Sequence, residues 1–139
     1  MLTLTAEIPS TTTAHAKGGK WARIEFTKSM RRKGCLAAAA AMRQLPKGTF
    51  PLPCVSITLW ISFPDQKIRD NQNILVAFKG FVDGMVDAGM IKDDNNQVVV
   101  SIAARTLEFN SPRPGVTILV EPATAAPIIP KFKTKVKSK

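Results

Sequence analysis

Six of the ten acidic residues of this chain (Asp65, Asp70, Asp83, Asp87, Asp93 and Asp94) fall within one stretch of thirty residues. Only four of its twenty Lys and Arg share that stretch, so the window sums to −2 while the rest of the chain carries +12. Carboxylate oxygens are the ligands that hard cations such as Mg²⁺ require, and Lys and Arg are the partners of nucleic-acid phosphates. The combination suggests a divalent-cation site beside a polyanion-binding surface. Asp70 and Asp94 would form the site, with Asp83 or Asp93 nearby. A metal held there polarises a phosphodiester and brings the pKa of a bound water into attacking range. Lys79 would neutralise charge developing on the phosphate. A plainer explanation uses the same residues. Asp70 caps a helix, Lys79 pairs with Asp83 on the surface, and Asp93-Asp94-Asn95-Asn96 is a polar turn.

Composition narrows the classes. At 139 residues the chain has the length of one domain. We expect a domain over 1–122 and a basic, Pro/Ala/Lys-rich disordered tail over 123–139. A net charge of +10 points to nucleic acid, ahead of an anionic membrane surface. No run approaches the ~20 apolar residues of a membrane span, and MLTLTAEIPS lacks the basic start of a secretory signal. Cys35, Cys54 and the single His15 do not make a structural zinc site, and both thiols are expected to be reduced in a cytoplasmic protein. A Ser-His-Asp triad has no support, and Gly18-Gly19 lacks the spacing of a phosphate-binding loop, so no nucleotide cofactor is expected. Trp21 and Trp60 are candidates to stack on bases of opened DNA; the strand position of Trp60 favours packing instead.

These residues need a scaffold, and the patterning predicts β-α-β-α-β-β. Leu2 to Ile8 alternates as a half-buried strand, and Pro9 to Lys20 is a loop by composition. Thr27 can cap a helix running to about Leu45, with Met30, Gly34, Ala37, Ala38 and Ala41 as a small-residue face for a sheet or a second subunit. Lys28, Arg31, Arg32 and Lys33 crowd its first half. Together with Lys17, Lys20, Arg23 and Arg69 they are the expected DNA-binding residues. Cys54 to Phe63 alternates as a strand. Asp70 or Asn71 caps a second helix to about Ala88, stopped by Gly89, with an apolar stripe of Ile74, Phe78, Phe81, Val82 and Met85. Gln72, Lys79 and Asp83 would share its polar face. Val98 to Phe109 and Val116 to Glu121 are strands, and the NSPRPG between them has the residues of a hairpin turn. The expected architecture is α+β: a mixed four-stranded sheet with two helices on one face.

The order of residues in the acidic window adds a resemblance. The segment RDNQNILVAFKGFVDGMVDAGMIKDDNNQV, through Arg69, Asp70, Asn73, Lys79, Asp83-Gly84, Asp87-Ala88-Gly89 and Asp93-Asp94, resembles the RusA family of phage and prophage Holliday-junction endodeoxyribonucleases. The match covers about 30 residues; elsewhere the likeness is of layout. It implies a homodimer that binds four-way DNA junctions and cuts them with Mg²⁺ or Mn²⁺. It puts Asp70 and Asp94 on metal-binding carboxylates and Lys79 on an essential lysine. This chain departs from the pattern where the family has a second Asp in the opening run, because Gln72 stands there. Gln72 offers a neutral carbonyl oxygen to a metal and no charge. The Asn that follows Pro-Ser in the family's N-terminal loop is also missing from PSTTTAHAKGG. Three functions follow as expectations: a metal-dependent endonuclease for branched DNA, a junction-binding protein without cleavage because of Gln72, or a basic nucleic-acid-binding module with no junction preference.

Overall fold

The computed structural model describes residues 1–9 and 19–124. Lys17, His15 and most of the Pro9-to-Lys20 loop lie outside the described residues, as does the expected tail beyond Thr124. The elements are β1 (Leu2–Ala6), α1 (Gly19–Met42), β2 (Val55–Ser62), α2 (Asn71–Ala77), α3 (Lys79–Asp87), β3 (Val99–Glu108) and β4 (Gly115–Pro122), with a 3₁₀ turn at Lys47–Thr49. The class is α+β, as the patterning implies. Four strands form one mixed sheet in the order β1-β4-β2-β3. β4 runs antiparallel to both β1 and β2, and β3 runs parallel to β2.

Period-two patterning decides which face of this sheet is buried. Val55, Ile57, Leu59 and Ile61 of β2, Val116, Ile118 and Val120 of β4, and Leu2 and Leu4 of β1 are all buried. They form one apolar cluster with Ile74, Phe78, Phe81 and Met85 of the helices. Burying each such side chain stabilises by about 1.5–3 kcal/mol, so this face holds the sheet to the helical layer.

The sheet order overturns one expectation. β3 and β4 do not form a hairpin, because β2 lies between them. β2 is the most completely buried strand and takes a central place. The parallel β2–β3 pair needs a crossover, which α2 and α3 supply. The NSPRPG segment therefore carries the chain past the end of β2. It is anchored there by the Ser111 N–H donating to the Phe63 carbonyl at 2.8 Å, and Asn110 adopts the left-handed φ of 52°. The turn residues signalled a change of direction correctly but gave no information on the pairing partner.

α1 differs from the reading of its ends, and the second helix keeps its expected ends but is broken within. α1 begins at Gly19, well before Thr27, and stops at Met42. No proline interrupts 19–42, and Thr27 sits within the helix. The small-residue face of α1 packs against α3, and α1 also meets β1 of the sheet. A Cβ on Gly34 would overlap the Phe81 carbonyl, and one on Gly84 would overlap the Arg31 carbonyl, so the two backbones meet almost directly. The second helix is capped by Asp70, as expected, but is divided at Phe78 into α2 and α3. Gly89, with φ 87°, terminates it. Among the described residues, no helix is long and apolar enough to cross a membrane.

Candidate functional site

The site is assembled by the crossover. At its start, Asp70 has extended backbone angles, and its carboxylate accepts the Gln72 N–H at 2.8 Å. This is an N-cap: it satisfies one of the donors that a helix leaves unpaired at its first turn. Asp70, Arg69, Asn73 and Ile74 line a hollow of about 280 Å³ with Ile8 and Pro9, so the segment that follows β1 also reaches this end of the crossover. Arg69 is held by both oxygens of Asp65, at 2.7 and 3.1 Å, and its guanidinium lies 4.8 Å from the centre of the Phe63 ring. The Arg69 guanidinium holds the Asp65 carboxyl below its usual range.

At the other end, three of the predicted residues meet. Lys79 opens α3, and its ammonium donates to Asp94 at 2.5 Å and to Asp83 at 3.1 Å. The Asp83 contact follows from spacing, since residues four apart share a helix face. The Asp94 contact joins the helix to the α3–β3 connection. That connection is shaped by its own side chains. Asp93 accepts the Asp94 N–H at 2.7 Å and the Asn95 side-chain amide at 3.2 Å, while Asn95 accepts the N–H groups of Gln97 and Val98. The polar-turn reading of Asp93 to Asn96 is therefore correct for Asp93 and Asn95, and Asp94 is the carboxylate free to face Lys79.

Electrostatics fixes what this cluster can do. The hydrogen bond from Lys79, chiefly, and the neighbouring carboxyls hold Asp94 below the usual carboxylate range. Asp94, chiefly, and Asp83 push Lys79 above its ordinary value. At neutral pH Asp94 is thus an anion and Lys79 a cation, so neither is suited to general acid–base work. They supply fixed charge of both signs. Beside them is an apolar hollow of about 420 Å³ lined by Leu75, Val76, Val82, Val99 and Ile102, with Lys79, Asp94 and Asn96 at its polar side.

The donor types suit Mg²⁺ or Mn²⁺, being hard carboxylate oxygens. Their arrangement here serves the Lys79 ammonium. Among the described residues, no three of His, Cys, Asp and Glu converge on a metal-sized point. No hydrogen bond or ion pair among those residues joins Asp70 to Asp83, Asp93 or Asp94. Gln72 is exposed in the first turn of α2.

The expected DNA-binding residues divide by partner. Arg31 is taken by both oxygens of Asp87, at 2.5 and 2.8 Å, an ion pair that ties α1 to α3 and lowers the Asp87 carboxyl. Lys33 stands 3.9 Å from Glu7. Lys20, Arg23, Lys28 and Arg32 are exposed and make no ion pair among the described residues. The Arg31–Asp87 bridge and the apolar hollow were missed in the sequence. The first joins residues 56 apart, and the second appears only when α2 and α3 fold against β3. No family model matches the chain, and no curated protein matches it.

Proposed function

We propose that this protein is a metal-dependent, structure-selective endodeoxyribonuclease acting on four-way or otherwise branched DNA, working as a homodimer in the cytoplasm. The observation that carries the reading is the contact of Lys79 with Asp83 and Asp94 at 3.1 and 2.5 Å. It unites residues fifteen apart, in the order in which the segment resembles the RusA family, on a protein of net charge +10. In this reading Asp94 and Asp70 hold Mg²⁺ or Mn²⁺, with Asp83 and Asp93 adding negative charge. The metal supplies Lewis-acid stabilisation of the phosphodiester. Lys79 stays protonated and offsets charge on the phosphate. Arg23, Lys28 and Arg32 hold the DNA backbone, which positions the substrate without reading sequence.

A second reading has its own support. Gln72 brings no charge where the resembled family has a carboxylate, and Lys79 already engages both Asp83 and Asp94. Such a protein would bind branched DNA without cutting it. Asp70→Asn and Asp94→Asn separate the two. Loss of cleavage with junction binding intact or stronger is the result expected of an enzyme. Cleavage at the wild-type rate by either variant would refute the assigned site.

A further inference from the structure

We propose that the first half of α1 is an arm that grips unpaired nucleotides, with Trp21 stacking on a base and Lys28 and Arg32 holding the adjacent phosphates. The inference rests on the nucleic-acid half of the reading above and not on cleavage. Three observations carry it.

The first is that this half of the helix buries no side chain fully and rests on the core through the half-buried Phe26. From Gly19 to Ser29 no residue of α1 is buried, whereas Met30, Gly34, Ala38 and Ala41 of the second half are. Phe26 packs against the core, and Thr27 beside it meets Gly80: a Cβ on Gly80 would lie 3.0 Å from the Thr27 carbonyl oxygen. Gly80 follows Lys79, so the arm departs beside the candidate site. An isolated helical stretch of this length is marginal in water. This one is held by Phe26 and by continuity with the packed half.

The second is what the arm displays. Trp21, Glu25, Lys28, Arg32 and Leu36 fall at intervals of four, three, four and four, which is one stripe of an α-helix. That stripe is turned away from the face carrying Met30, Gly34, Ala38 and Ala41. Trp21 is 75% exposed and Leu36 65%. From Trp21 to Arg32 the stripe is about 16 Å long at the rise of an α-helix, and a shallow hollow of about 400 Å³ runs beside Glu25, Lys28, Ser29, Arg32 and Leu36.

The third is charge. Residues 19–33 hold Lys20, Arg23, Lys28, Arg31, Arg32 and Lys33 against the single Glu25. Arg31 and Lys33 are engaged by Asp87 and Glu7, which leaves Lys28 and Arg32 as the cations beside Trp21 on its own stripe. Cations tracking a backbone together with an exposed aromatic ring are the two parts of a single-strand platform. A duplex offers phosphates to such a stripe but keeps its bases stacked, so the aromatic ring selects strands that are open, as at a branch point.

The test uses the full chain with Trp60→Phe, which leaves Trp21 as its one tryptophan, and withholds divalent metal throughout. Circular dichroism establishes that this variant is folded. Short oligodeoxythymidine is expected to quench Trp21 emission, and a blunt duplex of equal length to quench it much less. In otherwise wild-type protein, Trp21→Ala should weaken single-strand binding by about 5- to 150-fold, the range of one base stack. Trp21→Phe should restore most of it. Equal single-strand affinity of wild type and Trp21→Ala would overturn the inference. So would emission that oligodeoxythymidine leaves unchanged, or that responds only to anionic phospholipid vesicles or to protein concentration. Quenching in this metal-free assay, with no junction cleavage by wild-type protein in a separate assay containing Mg²⁺, would leave the arm in place and overturn the nuclease reading alone.

Discussion

Gly84→Ala perturbs the contact on which the placement of Lys79 and Asp83 depends. Two effects of opposite sign compete. In an α-helix interior, Ala is favoured over Gly by ~1 kcal/mol, so the substitution would stabilise an isolated α3. In the folded protein the new methyl group would stand 2.6 Å from the Cys35 nitrogen and 3.0 Å from the Arg31 carbonyl carbon, and would overlap the Arg31 oxygen. Carbon contacts are most favourable near ~3.5–4.0 Å, so the helices must separate by about 1 Å. The obstacles are backbone atoms in a long helix, which cannot move aside as a side-chain tip can. Overpacking of this kind costs about 1–3 kcal/mol, and obstruction by the α1 backbone at both Arg31 and Cys35 argues for the upper end. Net destabilisation of about 2 kcal/mol is expected after the propensity gain is subtracted. Gly48→Ala is the control, because nothing lies within 4 Å of a Cβ there. It should be neutral or stabilise by ~0.4–1 kcal/mol. Urea unfolding of the three proteins measures both differences. Gly84→Ala as stable as wild type would refute the close crossing of α1 and α3, and with it the framework proposed for the site.

Further outcomes follow from single residues. Asp70→Ala removes the cap of α2 and should cost about 0.5–2 kcal/mol, whereas Asp70→Asn, also a good capping residue, should leave unfolding nearly unchanged; an equal loss in both would show that the charge, and not the cap, is the structural contribution. Lys79→Met should lower stability by under ~1 kcal/mol, because the Lys79 side chain is 68% exposed and exposed ion pairs contribute little, yet it should abolish cleavage; a large stability loss would make Lys79 a structural residue. Asp65, Asp87 and Asp94 are held below their unfolded values by Arg69, Arg31 and Lys79. Their contribution is therefore complete above the unfolded carboxylate pKa of ~3.9 and is lost as pH falls through the lower folded values; thermal unfolding followed across that range would show no such decline if the three pairs were absent in solution. Gln72→Asp adds a carboxylate within the opening run of the motif and should lower the Mg²⁺ needed for half-maximal cleavage if Gln72 faces the metal; coincident Mg²⁺ titrations of the two proteins would remove Gln72 from the site.

The parts of the fold visible in the sequence are those governed by local physics. Alternation in Val55 to Ile61 and in Val116 to Val120 marked strands that bury one face, and Asp70 and Gly89 marked the limits of the crossover helix. The break at Phe78 was hidden, since Ile74, Phe78 and Phe81 keep helical spacing across it. The start of α1 was hidden because Thr27 has the chemistry of a cap but lies within a run that can be helical from Gly19 onward. Strand pairing was beyond local patterning altogether: the turn residues of 110–115 fit a hairpin, while the burial of β2 required it to stand between β3 and β4. For the site, the spacing of Lys79 and Asp83 was enough to pair them. The approach of Asp94 depended on the path of a loop that Asp93 and Asn95 fold with their own side chains. Asp70 was read as cap and as ligand at once, and its bond to the Gln72 N–H establishes only the first role.

The most direct test of the proposed function is a single gel of a labelled four-way junction incubated with purified wild-type protein, with and without Mg²⁺. Symmetric cleavage near the branch point that requires Mg²⁺, with linear duplex of the same sequence left intact, is the expected result. A junction that is bound and shifted but remains whole at every Mg²⁺ concentration would contradict the nuclease reading and leave a protein that binds branched DNA without cutting it.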